Sequence, residues 1–105
     1  MDTESCLQII KALSNETRLH IMRWLQTPDE HFGPQNLPAN GEFDGGVCVG
    51  AIQERSGLTQ SVISGYLATM QKAGLLESRR YGQWTYYRRN AETIDQFLAQ
   101  LRIEL

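Results

Sequence analysis

The chain is poor in the residues that secreted scaffolds, metalloenzymes and membrane proteins are built around. It has 2 cysteines and 2 histidines in 105 residues, too few and too far apart for a disulfide framework or a Cys/His zinc cluster. No apolar run approaches the roughly 20 residues needed to span a bilayer. The acidic start Met1-Asp2-Thr3-Glu4 is unlike a signal peptide, so a cytoplasmic protein is expected. A phosphate-cradling glycine loop is missing, as is any set of nucleophile, base and orienting group, and enzymatic activity is therefore not expected. Basic residues are not in excess either: the formal net charge is −2, which taken whole says nothing in favour of nucleic acid. Proline is scarce and confined. Pro28, Pro34 and Pro38 all fall between Gln26 and Gly46, with Gly33, Gly41, Gly45 and Gly46 and the acids Asp29, Glu30, Glu42 and Asp44. That stretch is expected to be a long Pro/Gly-rich loop, either covering the region around Cys48, contacting a partner, or merely lengthening a connection, which costs little closure entropy.

What the chain does contain is a helix feeding into a basic, aromatic hairpin. Thr59 stands where an N-cap belongs, Val62, Ile63, Leu67 and Met70 mark an apolar stripe on a 3.6-residue period, and Gly74 suits a helix stop. The spacing predicts a helix from about Thr59 to Ala73 with Gln60, Ser61, Ser64, Gly65 and Gln71 on its outer face. Val49 to Ser56 predicts a shorter helix before it, and Ser56-Gly57-Leu58 is a turn between the two. Such a pair reads as a helix-turn-helix, or as two helices that only pack together. Leu76 to Arg80 and Trp84 to Arg89 then flank Tyr81-Gly82-Gln83, a three-residue hairpin loop. Trp84 and Tyr86 share one face of the second strand and Thr85 and Tyr87 the other.

Charge is segregated. Residues 1–54 carry a net −5, residues 55–90 a net +5 and residues 91–105 a net −2. The positive field thus coincides with the helix and hairpin, where Arg79, Arg80, Arg88 and Arg89 gather, and points to a DNA-reading unit. A solvated edge strand kept soluble by charge is the competing account.

With 105 residues the chain makes one domain of modest core, so burial shared with a second copy is favourable. Both ends read as amphipathic helices. Leu7 and Ile10 near the start, and Ile94, Phe97, Leu98 and Leu101 at i, i+3, i+4 and i+7 near the end, are the candidate homodimer interface.

The stretches Lys11-Ala-Leu-Ser-Asn-Glu-Thr-Arg18-Leu-His-Ile-Met-Arg-Trp-Leu25, Leu58-Thr-Gln-Ser-Val-Ile-Ser-Gly-Tyr-Leu67, Lys72-Ala-Gly-Leu-Leu76 and Arg80-Tyr-Gly-Gln-Trp-Thr-Tyr-Tyr87 together resemble the ArsR/SmtB-type winged-helix repressors. The resemblance implies a mainly α fold of about five helices plus a two-stranded wing, with terminal helices forming a homodimer on double-stranded operator DNA. It places Thr59, Gln60, Ser61, Ser64, Gly65 and Tyr66 at the groove, and Arg79, Arg80 and Gln83 at or near the wing. Gln60 is the candidate for a bidentate adenine contact, while Tyr66 is open to packing against the hairpin instead. A winged-helix module that binds another protein is the alternative function.

For an inducer the family pattern is incomplete. Cys48-Val49-Gly50 lacks the second thiol of a Cys-Val-Cys motif, and Asp95 on the last helix has no histidine beside it, so zinc is not expected. Cys6 and Cys48 are the candidate sensing thiols, for a trivalent metalloid or for oxidation, if their Cα atoms approach within about 7 Å. Burial as small hydrophobes is the other account of them.

Overall fold

In the computed structural model, which describes residues 1–35 and 41–105, four helices begin where capping side chains stand. Asp2 accepts from the Ser5 N–H at 2.8 Å and opens α1 (Thr3–Leu13); Asn15 accepts from the Arg18 N–H at 3.0 Å and opens α2 (Glu16–Gln26). Thr59 accepts from Val62 N–H at 3.4 Å ahead of α5 (Gln60–Lys72), and Asn90 from Thr93 N–H at 3.2 Å ahead of α6 (Ala91–Glu104). Each such bond satisfies a backbone donor that a helix start otherwise leaves unpaired.

Two elements lie where only a connection is expected. Within the Gln26–Gly46 stretch, Pro28 takes the first helical position of α3 (Pro28–Phe32), with Asp29 and Glu30 in the first turn. Proline there has no N–H to lose and its φ is already helical, so the residue expected to break structure starts it. Further on, β1 (Val47–Cys48) pairs with the hairpin. The positions 36–40, Pro38 among them, lie outside the described residues. The rest of the fold follows as α4 (Val49–Ser56), β2 (Leu76–Tyr81) and β3 (Trp84–Arg89), giving six helices and a three-stranded antiparallel sheet in the order β1-β3-β2 among the described residues. This enlarges the expected five helices and two strands without changing the fold class.

The hairpin is tighter than expected. Tyr81 pairs with Trp84, so the connection is Gly82-Gln83, and Gly82 has φ +61° at its first position, where a type II′ turn requires glycine.

The core takes Ile9 and Ala12 from α1, Ile21 and Leu25 from α2, Ile52 from α4, Leu75 and Leu76 before and at the start of β2, and Ile94 and Phe97 from α6. At its centre lie Ile63, Leu67 and Met70 of α5, all fully buried, each contributing about 1.5–3 kcal/mol of apolar burial. Val62, read as part of that stripe, is 39% exposed, because on the helical wheel it lies to one side of the face shared by Ile63, Leu67 and Met70. On α2, Leu19 is likewise exposed. After α5 the chain turns at Gly74, φ +91°, where Leu75 N–H returns to the Met70 carbonyl at 3.0 Å, a left-handed stop that releases the chain into the wing.

Candidate nucleic-acid interface

The two helices expected to form the reading unit are joined by a defined turn. Gly57 ends α4 in the left-handed region, φ +71°, and its N–H donates to Gln53 O at 3.1 Å. Ser56 Oγ ties the corner by donating to Gln53 O at 2.7 Å and accepting from Leu58 N–H at 3.1 Å. Thr59 then caps α5, and this second helix of the pair leaves with Gln60, Ser61, Ser64, Gly65, Ala68 and Thr69 all exposed. Gln60 Nε2 donates to Ser64 Oγ at 2.9 Å one turn on, so the carboxamide lies along the helix surface with its oxygen free to accept. Gly65 sits at the middle of the exposed arc, opposite Ile63, Leu67 and Met70. A Cβ added there meets nothing within 4 Å, so nothing inside the subunit explains the glycine.

A cleft of about 340 Å³ separates the first turns of α5 from the wing. Cys48, Val49, Gly50 and Gln53 form one wall, Gln60 and Ser64 the second, and Gln83, Trp84, Thr85 and Tyr87 the third. Its lining carries amide, hydroxyl, thiol and aromatic groups. Burial raises the Tyr87 hydroxyl above its ordinary 10.0, so it remains a neutral donor and acceptor around neutral pH. Trp84 is 56% exposed at the tip of the wing and lines the same cleft; its indole near a hairpin glycine is visible in the sequence.

Tyr66 occupies neither expected position. It is half-buried, its hydroxyl accepts from Asn15 Nδ2 at 3.4 Å and its ring lies 5.1 Å beneath the Arg18 guanidinium, so it ties α5 to the start of α2 rather than to the hairpin. Arg18 itself donates to Ala12 O at 2.6 Å and closes the end of α1.

The four wing arginines do not act as one group. Cross-strand partners share a face of the sheet, and Arg80 opposes Thr85, a cleft residue, whereas Arg79 opposes Tyr86 and Arg88 opposes Glu77 on the other face. Arg80 stays exposed, with Nε on the Gly82 carbonyl at 2.9 Å. Arg88 holds Glu77 at 2.8 Å, and Arg89 borders a hollow with Leu19 and Met22. Arg55 of α4 is drawn to α3, donating to the His31 carbonyl at 3.2 Å with its guanidinium 5.1 Å over Trp24. The segregated charge seen in the sequence therefore overstates the field at the cleft, because local partners in the fold engage several of the cations.

The two thiols stand in different surroundings. Both are free: Cys6 is buried on the inner face of α1, and Cys48 is half-buried at the start of α4, its N–H on Gln35 Oε1 at 3.2 Å. Among the described residues no group of three or more His, Cys, Asp or Glu is arranged to hold a metal ion.

Of the apolar residues assigned to a subunit interface, Ile94 and Phe97 are instead buried in the protein's own core, because the inner arc of α6 packs on the body. Leu7 at 48%, Ile10 at 40% and Leu98 at 56% remain exposed. Helices α1 and α6 pack against each other. Among the described residues no helix is long and apolar enough to cross a membrane.

No family model matches the chain. The uncharacterized HTH-type transcriptional regulator YbzH of Bacillus subtilis is 41% identical over 100 residues, covering 94% of this chain and 97% of that protein. ArsR2 of Halobacterium salinarum, named for the repressor of an arsenical resistance operon, is 31% identical over 81 residues, 77% of this chain and 56% of that protein. Among solved structures, the homodimeric winged helix-turn-helix DNA-binding domain (fragment 1–100) of Mb0332 from Mycobacterium bovis, a possible ArsR-family transcriptional regulator, superposes with a TM-score of 0.66. It is 26% identical, over 95% of this chain and 77% of that one.

Proposed function

The chain belongs to the ArsR-type winged helix-turn-helix transcriptional regulators, and from that premise we propose that it is a homodimeric repressor that reads operator DNA with α5. The observation that carries this reading is the outer arc of α5. Its polar side chains stand exposed around a glycine that the fold does not need, next to a cleft closed on its far side by the wing. Gln60 supplies the base-edge contact, Ser61 and Ser64 the groove wall, and Arg80 and Gln83 reach the backbone from the wing. Gly65 and Ala68 let the helix axis come close to the DNA.

Two copies are proposed because the exposed leucines and isoleucine of α1 and α6 lie on helices that pack together, so a two-fold axis buries them at once. The solved Mb0332 domain is named as a homodimer, which supports the same arrangement here. A dimer also presents two reading helices to half-sites about one DNA turn, roughly 34 Å, apart.

Release is proposed to act at Cys48. Its thiol is half-buried at the start of α4 and stands in the wall of the cleft that DNA enters. Oxidation or capture of a trivalent metalloid there puts new bulk beside Gln60 and Ser64. Cys6, packed in the core, acts as a hydrophobe.

The test is discrimination. Fluorescence anisotropy with the gene's own upstream DNA and with a scrambled duplex should show a preference that Gln60→Ala reduces, and equal binding to both duplexes by the unaltered protein contradicts sequence reading. A winged-helix module serving a protein partner would form no tight complex with either.

A further inference from the structure

The segment just before β1 crosses the face of the hairpin turned away from the cleft, and Phe43 is its anchor. Phe43 is 1% exposed although its neighbours Glu42 and Asp44 are acidic and glycines follow. Two guanidiniums close over its ring, Arg88 at 4.1 Å and Arg79 at 5.3 Å from the centroid. Each also donates to the segment's backbone, Arg79 to Glu42 O at 3.4 Å and Arg88 to Asp44 O at 3.3 Å. Tyr81 Oη accepts from Glu42 N–H at 3.2 Å and packs edge-on to Tyr86 at 6.0 Å. A Cβ on Gly46 would stand 2.5 Å from Phe43 Cδ2, so glycine is needed there for the ring to seat.

We propose that residues 41–46 are a strap that positions the wing for DNA, with Phe43 as the positioning residue, and that they leave Arg80 as the wing's phosphate-binding arginine. The proposal rests on the DNA-reading function above. A two-stranded hairpin alone is marginally stable in water. Its tip wanders unless something holds both faces, and ordering it on DNA would cost affinity. Here β1 extends the sheet on one edge, the helical core holds the inner face, and the strap holds the outer face through a cation–π pair. Arg79 and Arg88 thus hold protein while Arg80, on the cleft face, is presented to a phosphate. The strap's acids, Glu42 and Asp44, also oppose any phosphate approaching the outer face.

The experiment compares Phe43→Ala, Phe43→Leu, Arg79→Ala and Arg80→Ala in the full chain, by amide hydrogen exchange without DNA and by binding to upstream DNA across a salt series. Phe43→Ala and Arg79→Ala should speed exchange in the hairpin about tenfold, with α5 unchanged. They should weaken binding without changing the salt slope, and the double variant should lose less than the sum of the two. Phe43→Leu, which keeps apolar volume but no π face, should fall between wild type and Phe43→Ala. Arg80→Ala should leave exchange alone and flatten the slope by about one unit per subunit engaged. Wild-type exchange in the hairpin of Phe43→Ala overturns the strap, and a slope flattened equally by Arg79→Ala overturns the assignment of Arg80. If the unaltered protein binds no DNA, the functional reading fails, while the exchange data still decide whether the strap holds the wing.

Discussion

Replacing Gly65 by alanine should make the protein more stable and worse at binding DNA. The residue is inside α5 with ordinary helical backbone, absent from the glycines of positive φ, and has no atom within 4 Å of an added Cβ. Alanine in an exposed helix interior is worth about 0.5–1 kcal/mol over glycine. In a domain of this size each kcal/mol raises the melting midpoint by about 4–8 °C, so a rise of about 2–8 °C is expected. The assay is a thermal melt by circular dichroism at fixed protomer concentration, since dimerisation makes the midpoint concentration-dependent. Paired anisotropy titrations on upstream DNA supply the second readout. Gly65→Leu extends the series: its side chain should push the helix out of the groove and forfeit a base contact worth about 1–3 kcal/mol, or about 5- to 150-fold in affinity. Raised stability with unchanged binding in both variants would refute close approach at Gly65. A lowered midpoint for alanine would refute the regular helix through that position.

Three further outcomes follow from other parts of the molecule. Leu7→Glu combined with Leu98→Glu should convert a dimer to a monomer by light scattering, because both exposed leucines lie on the proposed two-fold face; an unchanged mass would remove that face from the interface. Oxidant or arsenite should weaken DNA binding by the unaltered protein and leave Cys48→Ser unaffected, and an equal response in both would acquit Cys48. Hydrogen bonds from the Ser5 hydroxyl and then the Ser5 N–H hold the Asp2 carboxyl below its ordinary 3.8. Its cap on α1 is therefore fully present above that value and is lost as pH falls through the lower folded one. Asp2→Asn, which keeps a capping oxygen without the charge, should abolish that acid-dependent fraying in NMR of the Ser5 amide.

The elements set by local chemistry were legible in the chain. Thr59 caps where its side chain predicts, and Ile63, Leu67 and Met70 bury as their spacing requires. Gly57 and Gly82 turn the chain with the positive φ that glycine allows. What escaped depends on contacts between residues far apart in sequence. Nothing local to Phe43 says that its ring will meet Arg79 and Arg88, more than thirty positions away. The pairing of Val47 with Tyr87 is likewise invisible in a two-residue strand. Charge misled for the same reason: Arg55 counts as positive in any tally, yet in the fold it lies on His31 and Trp24. The apolar stripe of α6 was readable, but how it divides between Ile94 and Phe97 inside and Leu98 outside depends on which neighbours close over it.

The central claim, that α5 and its wing read operator DNA as a dimer, is tested most directly by titrating the unaltered protein against its own upstream duplex over a range of salt. With Arg80 from each of two subunits on a phosphate, log K should fall against log salt with a slope of about −2, with a preference over scrambled DNA at every salt concentration. A slope near zero, or identical curves for the two duplexes, would contradict it.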